Sequence, residues 1–177
     1  MKYNISHYFN HLPLDDCSFG TNDTLLEKLG LHIIERTHEE DGFYCGRIAE
    51  FREGVEFSVF VEKIEHLLDE PVRAWEFNDR TIKRVGLVCG GGGLTPDVKI
   101  AVEKNCDVYI TGEKILYTIE YAKFKKLNLI IGSHTFTELF GIESLAQKVK
   151  KGFKDIEIIR LQEEHLEAES KGVYYLW

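Results

Sequence analysis

Residues Ile82-Lys83-Arg84-Val85-Gly86-Leu87-Val88-Cys89-Gly90-Gly91-Gly92-Gly93-Leu94-Thr95-Pro96 pass from a β-branched apolar run through four glycines into a segment opened by proline. The run reads as a buried strand, the glycines as a turn, and Thr95 to Asn105 as a helix with Pro96 in its first turn. The alternation continues: Asp107 to Ile110 reads as a strand, Glu113 to Lys126 as a helix, Asn128 to Ile131 as a strand, and His134 to Lys150 as an amphipathic helix. Ile156 to Leu161 would add a closing strand. Strands alternating with helices of this length predict an α/β (α+β layered) fold, a mixed sheet covered by helices.

The N-terminal part is less regular. Asn4 to Tyr8 reads as strand-like, and Asn22 as the cap of a helix through Leu29 that stops at Gly30. His32 to Thr37, Phe43 to Phe51 and Val72 to Phe77 read as strands. Phe57, Phe60, Ile64, Leu67 and Leu68 form a helix stripe ended by Pro71. A soft boundary near Asn78-Asp79 divides an N-terminal lobe, residues 1–78, from a C-terminal α/β lobe, residues 79–177, although strands on both sides can join one sheet.

Composition narrows the classes. The chain has 177 residues, 44% of them apolar and 29% charged, which rules out collagen-like and disordered chains. With 22 Lys plus Arg against 30 Asp plus Glu the formal charge is −8, so nucleic acid is not the expected partner. No apolar run approaches the about 18 residues that span a bilayer, and Met1-Lys2-Tyr3-Asn4 lacks a signal peptide's apolar core. A cytoplasmic protein without a membrane partner is the expectation. The four cysteines, Cys17, Cys45, Cys89 and Cys106, form no C-x-x-C pair and read as reduced structural thiols. Gln162 to Lys171 reads as loosely attached.

Four segments can carry chemistry. Gly90 to Gly93 permits either a tight strand-to-helix turn or a phosphate cradle of backbone amides, but lacks the G-K-[ST] of a nucleotide loop. His134 and Glu138, four apart, place an imidazole and a carboxylate on one helix face, where both can reach one divalent ion or simply face solvent. His11-Leu12-Pro13-Leu14-Asp15-Asp16 gathers one His and two carboxylates, or is a solvated loop. Thr111-Gly112-Glu113 sets a carboxylate at the carboxyl edge of the sheet, where α/β folds keep their sites, or is an ordinary helix start. His32, His38, His66 and His165 belong to no such constellation.

H-L-P-L-D at His11 to Asp15, the strand with Gly90 to Gly93, D-V-Y-I-T-G-E at Asp107 to Glu113, and S-H-T-F-T-E at Ser133 to Glu138, in this order, resemble the Nif3-like family, whose members carry the name type 2 GTP cyclohydrolase I. The resemblance implies divalent metal, two ions per subunit in the family, of a kind suited to mixed His and carboxylate ligands: Zn, Mn, Fe or Ni. By the same resemblance Asp15, His134 and Glu138 are metal ligands, and His11 or Glu113 is the proton carrier. It implies a metal-dependent hydrolase of cyclohydrolase type acting on a small molecule, GTP being a candidate. The alternative is a non-catalytic metal-binding or regulatory module. Either would be a homo-oligomer, a hexameric ring in the family.

Three departures from the family pattern qualify this. The family's early adjacent His-His pair is absent, so the resemblance implies an N-terminally incomplete fold. Ser133 stands where the family has Gly, and Tyr117 or Glu120 where many members have another His. With three ligands the expectation is one ion or none per chain.

Overall fold

The computed structural model describes residues 3–166. Strand β4 (Ile82–Val88) runs parallel to β5 (Val108–Thr111), and β5 parallel to β6 (Asn128–Ile131). Helices α4 (Thr95–Glu103) and α5 (Leu116–Lys125) make the two crossovers, and α6 (His134–Gly152) follows β6. Every residue of β5 and β6 is buried, as parallel strands covered on both faces require.

The N-terminal elements complete the same sheet. Strands β1 (His32–Glu40) and β2 (Phe43–Val55) form a hairpin whose Asp41-Gly42 turn has φ of 50° and 82°, the left-handed pair that a two-residue loop demands. β2 pairs antiparallel with β4, and β3 (Arg73–Trp75) pairs antiparallel with β6, giving the order β1-β2-β4-β5-β6-β3. Strands on either side of residue 78 therefore share one six-stranded mixed sheet.

Alternation along the strands sends side chains to two cores. On one face Val85, Leu87, Val108, Ile110 and Ile130 meet α2 (Thr21–Lys28), α3 (Phe57–Leu68) and Phe136 of α6. On the other, Val88, Tyr109, Leu129 and Ile131 meet Val98 and Ala101 of α4 and Ala122 of α5. At about 25 cal/mol per Å² of apolar surface removed from water, each such residue contributes roughly 1.5–3 kcal/mol.

Several readings need correction. Residues 156–161 are not a strand: the edge beyond β6 is taken by β3, and the segment lies exposed without regular structure. Residues 4–8 are also irregular, with Ile5 and Tyr8 exposed and no pairing to any strand of the sheet. His11 to Asp16 is not a plain loop, since α1 spans Leu12–Asp16 with Pro13 in its first turn. Asn22 is not the cap of α2; Gly20 holds that place and Asn22 is buried inside the helix. α5 starts at Leu116, so Glu113 belongs to the preceding turn. Of Gln162 to Lys171, residues 167–171 lie outside the described residues. All four cysteines are unpaired, and no described helix is long and apolar enough to cross a membrane.

Candidate metal centre

The carboxyl ends of β4, β5 and β6 converge, and glycines let them touch. Gly90 (φ 63°) ends β4; its carbonyl accepts from Gly112 N–H at 3.0 Å and Thr111 Oγ1 at 3.3 Å, and its N–H donates to Thr137 Oγ1 at 3.0 Å. Gly112 has no room for a Cβ, which would stand 2.7 Å from His134 Cα. Three chain segments are thereby drawn around the first turn of α6, which Ser133 caps by accepting from Phe136 N–H at 3.2 Å.

His134 lies between two carboxylates: Glu113 Oε1 is 3.1 Å from Nδ1, and Glu138 Oε1 is 3.3 Å from Nε2. In the tautomer that donates from Nδ1 to Glu113, Nε2 is left as a lone pair facing Glu138. Two lone-pair atoms at that spacing repel unless a proton or a cation stands between them. These two donors leave a place for a cation between them, with Glu113 where a carboxylate would orient a metal-bound imidazole.

Asp15 and His11 line an open cleft of about 460 Å³ that also receives Glu138. Asp15 is 9% exposed; Thr21 Oγ1 donates to its Oδ1 at 2.6 Å, and burial raises its pKa above the usual 3.8 against the opposing pull of Thr21, His11, Arg47 and His134. The cleft brings Asp15 and Glu138 together as lining, but among the described residues no three His, Cys, Asp or Glu side chains are grouped closely enough to hold one ion. His11 is exposed at the cleft's edge and stacks on Phe9 at 5.7 Å.

The glycine stretch is a tight turn. The seat an anion would take at the start of α4 is filled by Asp97, whose Oδ2 accepts from Leu94 N–H at 2.9 Å. Asp15, Glu39, Glu40, Asp97 and Glu138 all line the cleft, and no Lys or Arg does so among the described residues. The thiols offer no nucleophile: burial pushes Cys45 up to about 11 and Cys89 well above its usual value.

Sequence reasoning missed His38, which lines the cleft from β1 in a left-handed conformation (φ 60°). Its Nδ1 meets Thr37 Oγ1 at 2.8 Å and its Nε2 meets Asp97 O at 3.1 Å, in space left by the missing Cβ of Gly46. Burial lowers its pKa below 6.5, so the folded protein holds it neutral while the unfolded chain protonates. Below pH 6.5 the unfolded state binds more protons, and stability falls as pH drops toward the lowered pKa. As pH falls below 6.5, the denaturant midpoint of wild type should fall more steeply than that of His38→Asn, which tolerates the same backbone. Equal slopes would assign the loss to other groups.

Also missed was Asn22, whose Nδ2 donates to Asp15 O at 3.2 Å and Cys45 O at 2.9 Å while its Oδ1 accepts from Cys89 N–H at 3.0 Å. It ties three walls of the cleft together. A buried amide of this kind carries no signal in sequence beyond its preference for helix starts.

Comparison with known proteins follows the geometry. The model of the family Duf34/NIF3 (NGG1p interacting factor 3) matches residues 1–166. A Pyrococcus abyssi protein named GTP cyclohydrolase 1 type 2 homolog is 34% identical over 148 residues, 82% of this chain and 58% of that protein. A Haemophilus influenzae protein of the same name is 32% identical over 161 residues, 86% of this chain and 63% of its own. The chain thus spans about three fifths of the length of these relatives. Among solved structures, one described as protein ybgI of unknown function superposes with a TM-score of 0.74 at 25% identity, covering 81% of this chain and 56% of that one. Reduced HcgD from Methanocaldococcus jannaschii superposes with a TM-score of 0.70 at 24% identity, covering 82% and 57%, and supports the fold alone.

Proposed function

Because the chain belongs to the Duf34/NIF3 family, we propose that it is a divalent-metal-binding protein that performs hydrolase-type chemistry on a small molecule in the cleft beside α6. The observation that carries this reading is His134, held at Nδ1 by Glu113 and facing Glu138 across the space that Gly90 leaves open. His134 and Glu138 would hold the ion, and Asp15, on the same cleft, is the third ligand by family resemblance. The mixed nitrogen and oxygen donors suit Zn, Mn, Fe or Ni. A bound ion would supply a water of lowered pKa for attack on a C–N or phosphate-type bond. Glu113 fixes the ring's tautomer and direction, and His11, at the cleft's edge, moves the proton to the leaving group.

The relatives' names make GTP the first substrate to test. The carboxylate lining opposes a triphosphate unless a cation offsets it, so GTP should not raise the melting temperature of chelator-stripped protein. The oligomer and the cytoplasmic setting implied by the family are part of the same proposal, and native mass checks the first.

Chelator-stripped protein reloaded separately with Zn, Mn, Fe(II) and Ni tests the whole. At least one ion should bind per chain and support turnover. His134→Ala should weaken binding at least tenfold and abolish turnover at unchanged native mass. Equal metal in wild type and His134→Ala would sink the metal centre; metal without turnover would leave a binding module.

A further inference from the structure

The first turn of α6 is held from outside the cleft. Ser133 N–H and Ser133 Oγ–H both donate to Glu70 Oε1, at 2.8 and 2.7 Å. Glu70 is itself fixed, because it follows the left-handed Asp69 (φ 54°) that ends α3 and its N–H returns to Glu65 O at 3.2 Å. Its side chain is only 1% exposed, so each carboxylate oxygen needs a partner. The second oxygen, Oε2, meets His165 Nδ1 at 3.1 Å, and the His165 ring lies flat on Phe136 with centroids 3.8 Å apart and planes 8° from parallel.

His165 belongs to residues 153–166, a strap without strands or α-helix beyond Gly152 that folds back along α6. Lys150 donates to the carbonyls of Lys154 and Ile156, Arg160 pairs with Glu143 at 2.7 Å, and His165 reaches the first turn. The strap buries little: Ile159, Leu161 and Leu166 are exposed. Its hold is therefore weak, and His165, on Glu70 and Phe136, is the contact that reaches the first turn of α6.

Besides the bond from Gly90 N–H to Thr137 Oγ1, two points fix α6 near the site. Gly141 lies so close to α2 that a Cβ there would stand 2.6 Å from Thr21 Cα, and at the other end Ser133 rests on Glu70. His134 and Glu138 lie between them. Misplacing such ligands by about 1 Å is enough to spoil a site.

We infer that Glu70 is a positioning residue for the helix that carries His134 and Glu138, and that the 153–166 strap regulates the metal centre by completing the hydrogen bonding of Glu70 through His165. This rests on the metal-centre reading for its consequence, while the positioning itself can be seen without metal.

The experiment uses the full chain and two readouts: Zn affinity by competition with a chromophoric chelator, and the ring resonances of His134 in metal-free protein. Glu70→Ala should weaken Zn about 10–100-fold, the range for losing an outer-shell partner. Glu70→Gln, which keeps an oxygen for Ser133, should recover most of that. His165→Ala should weaken Zn a few-fold, shift the His134 resonances, and leave the melting temperature within a few degrees of wild type. Unchanged His134 resonances in both His165→Ala and Glu70→Ala would overturn the inference. Should Glu70→Ala fail to fold, His165→Ala alone decides, since its side chain lies on the surface of Phe136. If wild type binds no Zn, the metal reading fails, and the metal-free resonances still decide the positioning.

Discussion

Gly90→Ala should cost the protein its metal while leaving its fold standing. A Cβ at this position would overlap Glu138 Oε1 and stand 2.8 Å from His134 Nε2, inside the gap where an ion would be coordinated. Both atoms are ends of side chains that can swing aside, so the methyl group displaces the ligand pair and not the backbone. The backbone is held independently, by Gly90 N–H on Thr137 Oγ1 and by Gly112 N–H and Thr111 Oγ1 on the Gly90 carbonyl. The left-handed φ of 63° adds a penalty of about 1–2 kcal/mol for any residue with a Cβ. A melting temperature lowered by several degrees, together with metal affinity lowered at least 100-fold by titration, is the expected result. Unaltered affinity would show that the space between His134 and Glu138 is not where the ion sits.

The parallel half of the sheet was legible because β5 and β6 are short and wholly buried and each of its strands is soon followed by glycine, a pattern that solvent-facing strands do not produce. The same rule misread residues 156–161, whose isoleucines suit a strand, because pairing is settled by the sheet's order and the place beside β6 goes to β3. No local pattern reports which edge a three-residue strand will take. At the site, His134 and Glu138 were legible from helical spacing, whereas the distinct place of Glu113 came from α5 starting three residues late. Glu70, His38 and His165 were invisible because their partners lie 63, 59 and 95 residues away in the chain. Ser133 was noticed only as a departure from the family's Gly; its hydroxyl turns out to serve the bond to Glu70.

The largest loss of stability is expected at Arg47, an arginine in the middle of β2 whose side chain is 1% exposed. Its Nε donates to Asp23 Oδ1 at 2.6 Å, Nη1 to the carbonyls of Tyr44 and Gly46 at 2.7 and 2.9 Å, and Nη2 to those of Asp15 and Asp16 at 3.2 and 2.9 Å. One guanidinium thus joins α1, α2 and β2 behind the cleft wall that carries Asp15. Arg47→Met fills a similar volume but leaves the Asp23 carboxylate, 14% exposed, without its countercharge and takes one donor from each of four carbonyls, of which those of Asp15 and Asp16 keep Asn22 and Arg36. Breaking one side of a buried pair costs about 3–5 kcal/mol, a large share of the roughly 5–15 kcal/mol that holds a domain together. Arg47→Lys should recover little, because an ammonium cannot point five donors in a plane. Asp23→Asn placed on Arg47→Met should recover part of the loss, because the orphaned charge disappears while the carbonyl bonds to the guanidinium stay lost. Urea melts of wild type, Arg47→Met, Asp23→Asn and the double variant measure this coupling. Full additivity of the two substitutions would mean that the carbonyl bonds, and not the ion pair, fix α1 and Asp15 against the sheet.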